Sequence, residues 1–168
     1  MKGFPAVPLI PATPTSIIVR EARDAELLTV VPRAARGPNA PRVSAKLANV
    51  ITIDAAEVMR SNQYDPQELP AADGYYTDES AVINGDVLVW ATDDLEVHAV
   101  VSPVTSRAVS NAITVLRCGP DLDPSYLALV LCASRNAIYT TGSSTPTLRV
   151  LDLLLPVISI TEQRQIAD

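Results

Sequence analysis

The spacing of apolar and polar positions changes character along the chain. In "GFPAVPLIPATPTS" a proline stands at nearly every third position, which predicts an extended, polyproline-like or edge segment rather than a helix. "SIIVRE" and "AELLTVV" are aliphatic and β-branched and are joined by "ARDA", a pattern that predicts a hairpin, with a short helix over 21–28 as the alternative. The prolines and glycine of "PRAARGPNAPR" then mark a linker. From Val43 the apolar segments are short. "KLANVITID" reads as a strand, "AAEVMRSN" as a short helix or turn, and "YDPQELPAADGYYTDES" as a long irregular loop of the kind that is more often functional than not. In "VINGDVLVWAT", Asn84-Gly85 signals a tight turn and Asp86 to Trp90 a strong strand. "LEVHAVV" and "NAITVLR" are two further strands, separated by "SPVTSRAVS".

Beyond these strands the period becomes helical. "DPSYLALVLCASRNAIYTTG" has Asp123 as an N-cap, Pro124 at the first helical position and Gly142 past the end, and its apolar residues cover more than one face, so the helix is expected to be buried. "SSTPTLRVLDLLL" repeats the start signal with Thr145 before Pro146 and predicts a second, shorter helix. "PVISI" reads as extended. "TEQRQIAD" reads as a helix start capped by Thr161, with about two turns before Asp168. Strands followed by helices, without alternating βαβ units, predict an α+β fold: a twisted mixed or antiparallel sheet with a buried helix, a shorter helix and a terminal helical stub.

Composition narrows the function. At 168 residues the chain suits one core plus an appendage, and with 48% apolar but only 4% aromatic residues that core must be built from Val, Leu, Ile and Ala. No apolar run reaches the roughly 18 residues of a membrane span, and prolines interrupt the N-terminal segment, so a soluble cytoplasmic protein with no membrane partner is expected. Cys118 and Cys132 stand apart, without a CxxC partner, and read as reduced packing residues. The net charge of -6 is unevenly spread. Residues 1–46 hold seven basic against three acidic residues, a net of +4, whereas the remainder holds six against sixteen, a net of -10. This is a basic arm on an acidic body, readable as a phosphate-contacting arm or as a solvated tail.

Catalytic chemistry finds little support. The single histidine, His98, lies in the strand-like "EVHAVV" and reads as structural; there is no GxSxG elbow, and the six glycines are too scattered for a phosphate-cradling loop. Asp93-Asp94 and Asp121-x-Asp123 are too sparse for a calcium or magnesium loop, and Asp123 is better explained as a helix cap. With lysines only at 2 and 46, no lysine stands beside these carboxylates as a metal-dependent nuclease of the acidic-plus-lysine type would want. No cofactor, no metal site and no catalytic residue are expected.

The order of motifs in the second half resembles the target recognition domain of type I restriction-modification specificity subunits, or the equivalent domain of a related DNA adenine methyltransferase. The motifs that carry it are Gly85-Asp86 opening a strand, Ser110-Asn111 through Arg117, Pro124 to Leu127, Gly142 to Thr145, Leu148 to Leu155, and Glu162-Gln163 with Ile166. One departure is that the family usually has prolines just before the Glu-Gln, where this chain has Ile158-Ser159 and a proline only at Pro156. The resemblance divides the chain into a proline-rich basic N-terminal extension, 1–42, and a recognition domain, 43–168. It implies sequence-specific binding to part of a bipartite target in double-stranded DNA. Catalysis would then belong to a DNA methyltransferase (modification) subunit and, as a further partner, an endonuclease/translocase subunit. The glycine-rich cofactor loop and Asn/Asp-Pro-Pro-aromatic motif of a methyltransferase are both absent, so the chain is not expected to be an enzyme alone. In the family the Glu-Gln segment opens a long spacer helix; here residues 161–168 are expected to form a stub, frayed or docked on the domain.

Candidate DNA contacts are the loop Thr140, Thr141, Ser143, Ser144 and Thr145, with Arg107, Asn111, Arg135 and Arg149, and a second loop through Tyr75 and Tyr76. Hydroxyls and backbone amides suit phosphates and base edges, and arginine suits bidentate contact to guanine. The rival reading is a protein-protein interaction module with no DNA affinity of its own.

Overall fold

The computed structural model describes residues 15–31, 43–44, 50–61, 75–76, 82–105, 108–110, 112–133, 140–141 and 147–168. Its elements, in chain order, are β1 (Ser16–Ile18), α1 (Val19–Asp24), β2 (Leu28–Val30), β3 (Val43–Ser44), β4 (Val50–Ile51), α2 (Ile53–Arg60) and β5 (Tyr75–Tyr76). Then follow β6 (Val87–Ala91), β7 (Val97–Val101), β8 (Ala108–Val109), β9 (Thr114–Cys118), α3 (Pro124–Leu131), β10 (Thr140–Thr141) and β11 (Thr147–Leu148). A 3-10 turn (Val150–Asp152), β12 (Leu154–Pro156) and α4 (Ile160–Ala167) complete the order. The fold is α+β.

The centre is a four-stranded antiparallel sheet in the order β2-β9-β6-β7. Both of its faces are covered. Val87, Val89, Val97, Ala99 and Leu116 pack on one side with α1, α3 and β12, while Leu88, Trp90 and Val115 pack on the other with Ala55, Ala56 and Met59 of α2. This explains why "VLVW" in β6 is apolar throughout instead of alternating: side chains of successive residues point to opposite faces, and here each face is an interior.

Gly85, at φ 97°, occupies the left-handed backbone region that a side chain would strain, and its turn delivers Asp86 to the start of β6. At Gly119 the constraint is space. A Cβ there would lie 3.0 Å from the Leu27 carbonyl oxygen, the same oxygen that accepts a hydrogen bond from the Gly119 amide.

α3 begins as its sequence predicts, with the Asp123 carboxylate accepting from the Tyr126 amide at 3.0 Å and Pro124 at the first position. It ends at Leu131, short of the expected run up to Gly142: Cys132 and Ala133 leave the helix and Thr140–Thr141 form β10, while 134–139 lie outside the described residues. α2 starts at Ile53, inside the segment read as a strand, because the Thr52 hydroxyl accepts from the Ala55 amide and caps it there.

Other expectations are corrected. "SIIVRE" and "AELLTVV" do not pair as a hairpin. β1 pairs antiparallel with β12, β2 pairs antiparallel with β9, and α1 lies between them with Val19 and Ala22 fully buried. Residues 15–31 supply an edge strand of the central sheet and part of its core. The shorter second helix is replaced by β11, the 3-10 turn and β12. Pro156 disfavours helical backbone at Leu155, and β12 gains β1 as a partner through Ser16–Pro156, Ile17–Leu155 and Ile18–Leu154, so strand pairing prevails over local helix propensity. The cap of α4 is Ser159 rather than Thr161: its hydroxyl accepts from the Glu162 amide while the Glu162 carboxylate accepts from the Ser159 amide at 3.0 Å. That hydrogen bonding holds the fully exposed Glu162 carboxyl below its ordinary pKa.

Candidate nucleic-acid interface

α1 carries an inner face of Val19 and Ala22, so Arg20 and Arg23, three residues apart, share its outer side. The chain returns to the same place after the hairpin β10-β11, whose register pairs Thr140 with Leu148 and Thr141 with Thr147. Arg149 follows that hairpin directly and precedes the 3-10 turn, which fixes Asp152 three residues on. The result is a cleft of about 420 Å³ lined by Arg20, Arg23 and Arg149, by Asp152, and by Val30, Thr114, Leu148, Val150 and Leu151.

Asp152 is the carboxylate among these lining residues. One of its oxygens lies 3.0 Å from Arg20 Nη2 and the other 3.0 Å from Arg149 Nε. The arginines remain largely in water, with 47% and 58% of their side chains exposed. Arg23 lies 3.4 Å from Asp24 and is also exposed. Three guanidinium groups and one carboxylate line an open cleft, with Asp24 beside Arg23 at its margin, a net positive site on a chain whose net charge is negative. Such a cleft suits an anion that presents several oxygens.

Of the residues singled out in the sequence, Arg149 lines this cleft, and Thr140 and Thr141 form the strand whose partner leads into it. Tyr75 and Tyr76 form β5, which pairs with β3 in a separate two-stranded ladder. Arg107, Asn111, Arg135, Ser143, Ser144 and Thr145 lie outside the described residues. Sequence reasoning missed Arg20 and Arg23 as members of a site with Arg149; the signal present was the positive charge of residues 1–46.

Three of the motif elements supply internal locks. Asp86 is 1% exposed, and Arg117 lays its guanidinium on it in a fork, Nε to one oxygen and Nη2 to the other, both at 2.8 Å. The Ile83 amide donates to the same carboxylate at 2.9 Å. Hydrogen bonding to Asp86, opposed by partial burial, pushes the Arg117 pKa up. Gln163 is 3% exposed; its amide nitrogen donates to the carbonyls of Asp121 and Ile158, and its oxygen accepts from the Asp123 amide at 2.8 Å. The second residue of the Glu-Gln pair thereby fastens α4 to the turn that opens α3.

His98 belongs to another cluster, between α2 and the sheet. Its Nδ1 is 2.6 Å from a Glu57 oxygen, which also accepts from the Trp90 indole at 2.8 Å, and the Trp90 and His98 rings meet edge-on at 5.8 Å. Burial pushes the Glu57 carboxyl up, but hydrogen bonds from His98 and Trp90 and the charges of His98 and Arg60 outweigh it and hold the pKa below its ordinary value. Burial pushes the Cys118 thiol up to about 12, with Asp123 and Asp86 adding to the effect, and raises Cys132 as well. Neither offers a thiolate near neutral pH. Among the described residues no group of three or more His, Cys, Asp or Glu side chains is placed to hold a metal, and no helix is long and apolar enough to cross a membrane.

No family model matches the sequence, and no curated protein matches it. Among solved structures, the chain is similar in fold to the HsdS subunit from Thermoanaerobacter tengcongensis, with a TM-score of 0.56 and 12% sequence identity over 98% of this chain. It spans 38% of that subunit's length.

Proposed function

We propose that the chain is a sequence-specific DNA-binding domain that recognises part of a bipartite target for a type I-like restriction-modification or methyltransferase complex. The observation that carries this reading is the arginine cleft beside the β10-β11 hairpin, where guanidinium groups from α1 and from residue 149 stand ready for backbone phosphates. The fold likeness to an HsdS subunit and the order of motifs that resembles specificity subunits both support it. In this reading Arg20, Arg23 and Arg149 position the duplex. Base reading falls to the segment Thr140 to Thr145 and to Arg107, Asn111, Arg135, Tyr75 and Tyr76. The protein is a cytoplasmic recognition component without catalysis of its own, and a modification subunit, and beyond it an endonuclease/translocase subunit, act on the DNA it selects.

The test is an electrophoretic mobility assay over a salt series, with and without a methyltransferase partner. Replacing Arg20, Arg23 and Arg149 together by Gln is expected to weaken duplex binding across all sequences and to reduce the slope of log affinity against log salt by about 0.9 for each phosphate that is no longer neutralised. If no duplex binds at low salt even with the partner present, the reading is wrong and an interaction module without DNA affinity takes its place.

A further inference from the structure

Resting on that reading of the cleft, we infer that Asp152 is an internal competitor for phosphate: it occupies Arg20 and Arg149 in the absence of DNA and restrains sequence-independent binding. Its two carboxylate oxygens are shared between two guanidiniums on different elements, Oδ1 with Arg20 of α1 at 3.0 Å and Oδ2 with Arg149 at 3.0 Å. A phosphodiester offers two non-bridging oxygens to the same donors, so a DNA backbone entering the cleft must displace this carboxylate. The other charged residues lining the cleft, Arg20, Arg23 and Arg149, are all positive, with Asp24 beside Arg23 at its margin.

As a stabilising device the arrangement is poor. Both arginines are about half exposed, and ion pairs in that setting add little to stability. As a device for selectivity it is apt. Phosphate contacts provide affinity without sequence information, so a carboxylate that offsets part of the cleft's charge lowers binding to every duplex and leaves the discrimination to base contacts.

The experiment compares the full chain with Asp152→Asn and Asp152→Glu, using a random-sequence duplex over a salt series and elution from immobilised heparin as the polyanion probe. Asp152→Asn is expected to bind the random duplex more tightly at low salt and to steepen the salt slope by about 0.9 for each arginine released to a phosphate, so that its advantage over the parent grows about threefold between ~200 and ~50 mM salt if one arginine is released and about twelvefold if both are. It should also elute from heparin at higher salt. Asp152→Glu, which keeps the charge, should remain near the parent slope. Asp152→Ser removes charge and most of the side chain, and replaces the Asn variant should that one not fold. Weaker duplex binding by the neutral variant, or an unchanged slope, overturns the proposal, because Asp152 would then serve only to hold the arginines in place. The two readings fail separately. A parent that binds duplex while Asp152→Asn shows no increase sinks the competitor and leaves the recognition reading standing. A parent that binds no duplex, with a neutral variant that is still held more tightly on heparin, sinks recognition and keeps the competitor.

Discussion

Two arginine-aspartate clusters of this chain use the same chemistry to opposite ends. At Asp86 the carboxylate is buried, the Arg117 fork fills both oxygens at 2.8 Å, and the Ile83 amide takes a further site, so the group's hydrogen-bonding capacity is spent inside the protein. At Asp152 one carboxylate is divided between two arginines that remain about half exposed, with Arg23 close by. A closed pair resists exchange because breaking it strands a charge in the interior. An open cluster exchanges readily because water and incoming anions reach every member. The motifs that stand out in the sequence, Gly85-Asp86 with Arg117 and Glu162-Gln163, fall on the closed side. The open cluster joins Arg149, already singled out in the sequence, to Arg20 and Arg23, which carry no local signature.

The largest effect should come from breaking the closed pair. Arg117→Met is expected to lower stability by about 3 kcal/mol, since it leaves the Asp86 carboxylate buried with only the Ile83 amide for compensation. Exposure of 41% of the Arg117 side chain keeps the loss from reaching the fully buried limit. Urea unfolding measures it, and a loss under about 1 kcal/mol would mean that the pair is not the lock its geometry indicates.

Next in size is the lock on α4. Gln163→Ala leaves the Asp123 amide and the carbonyls of Asp121 and Ile158 without their side-chain partner, and should cost about 2 kcal/mol. Amide hydrogen exchange separates two outcomes. Loss of protection confined to Ile160–Ala167 marks α4 as a separately opening unit, whereas uniform loss marks it as part of the domain's cooperative fold.

These locks bear on what could be read in advance. The strand Val87–Ala91, the capped start of α3 and a terminal helix near Glu162 were legible because each is written locally, in a turn signal, a cap or an apolar run. The fates of Ser16–Ile18 and Leu154–Pro156 were not, because each becomes a strand only through the other, across most of the chain. The cleft was illegible for the same reason: Arg20 and Arg149 meet only once α1 packs beside the turn after β11. Charge asymmetry pointed to the basic arm, yet nothing in the sequence indicated which of its arginines would share a site.

The Glu57 cluster adds a pH-dependent measure of closed pairing. Its folded pKa lies below the unfolded value of 4.5, so the unfolded chain binds the proton first as pH falls. The stabilisation is therefore fully present above about 4.5 and is lost as pH drops through the lower, folded value. Glu57→Gln removes that titration, and its stability should fall less steeply below pH 4.5 than the parent's in urea unfolding at a series of acid pH values. Parallel acid limbs would show that His98 and Trp90 do not favour the ionised form.

The smallest effect on stability should come from the open cluster, and it is the sharpest test of the contrast. Arg20→Gln with Arg149→Gln removes two ion pairs, but each joins exposed arginines to a carboxylate that water can reach, so the change in unfolding free energy should stay within about 0.5 kcal/mol. Asp152 does not become a stranded buried charge, because 23% of its side chain is exposed. The same double variant should lose much of the salt-dependent duplex affinity of the parent. That outcome would separate a site from a lock: replacing Arg117 should leave binding per folded molecule unchanged, and replacing Arg20 and Arg149 should leave the fold unchanged. If instead the double variant unfolded as readily as Arg117→Met, the cleft would be a second lock, and the positive charge gathered there would be a by-product of packing α1 against the 3-10 turn.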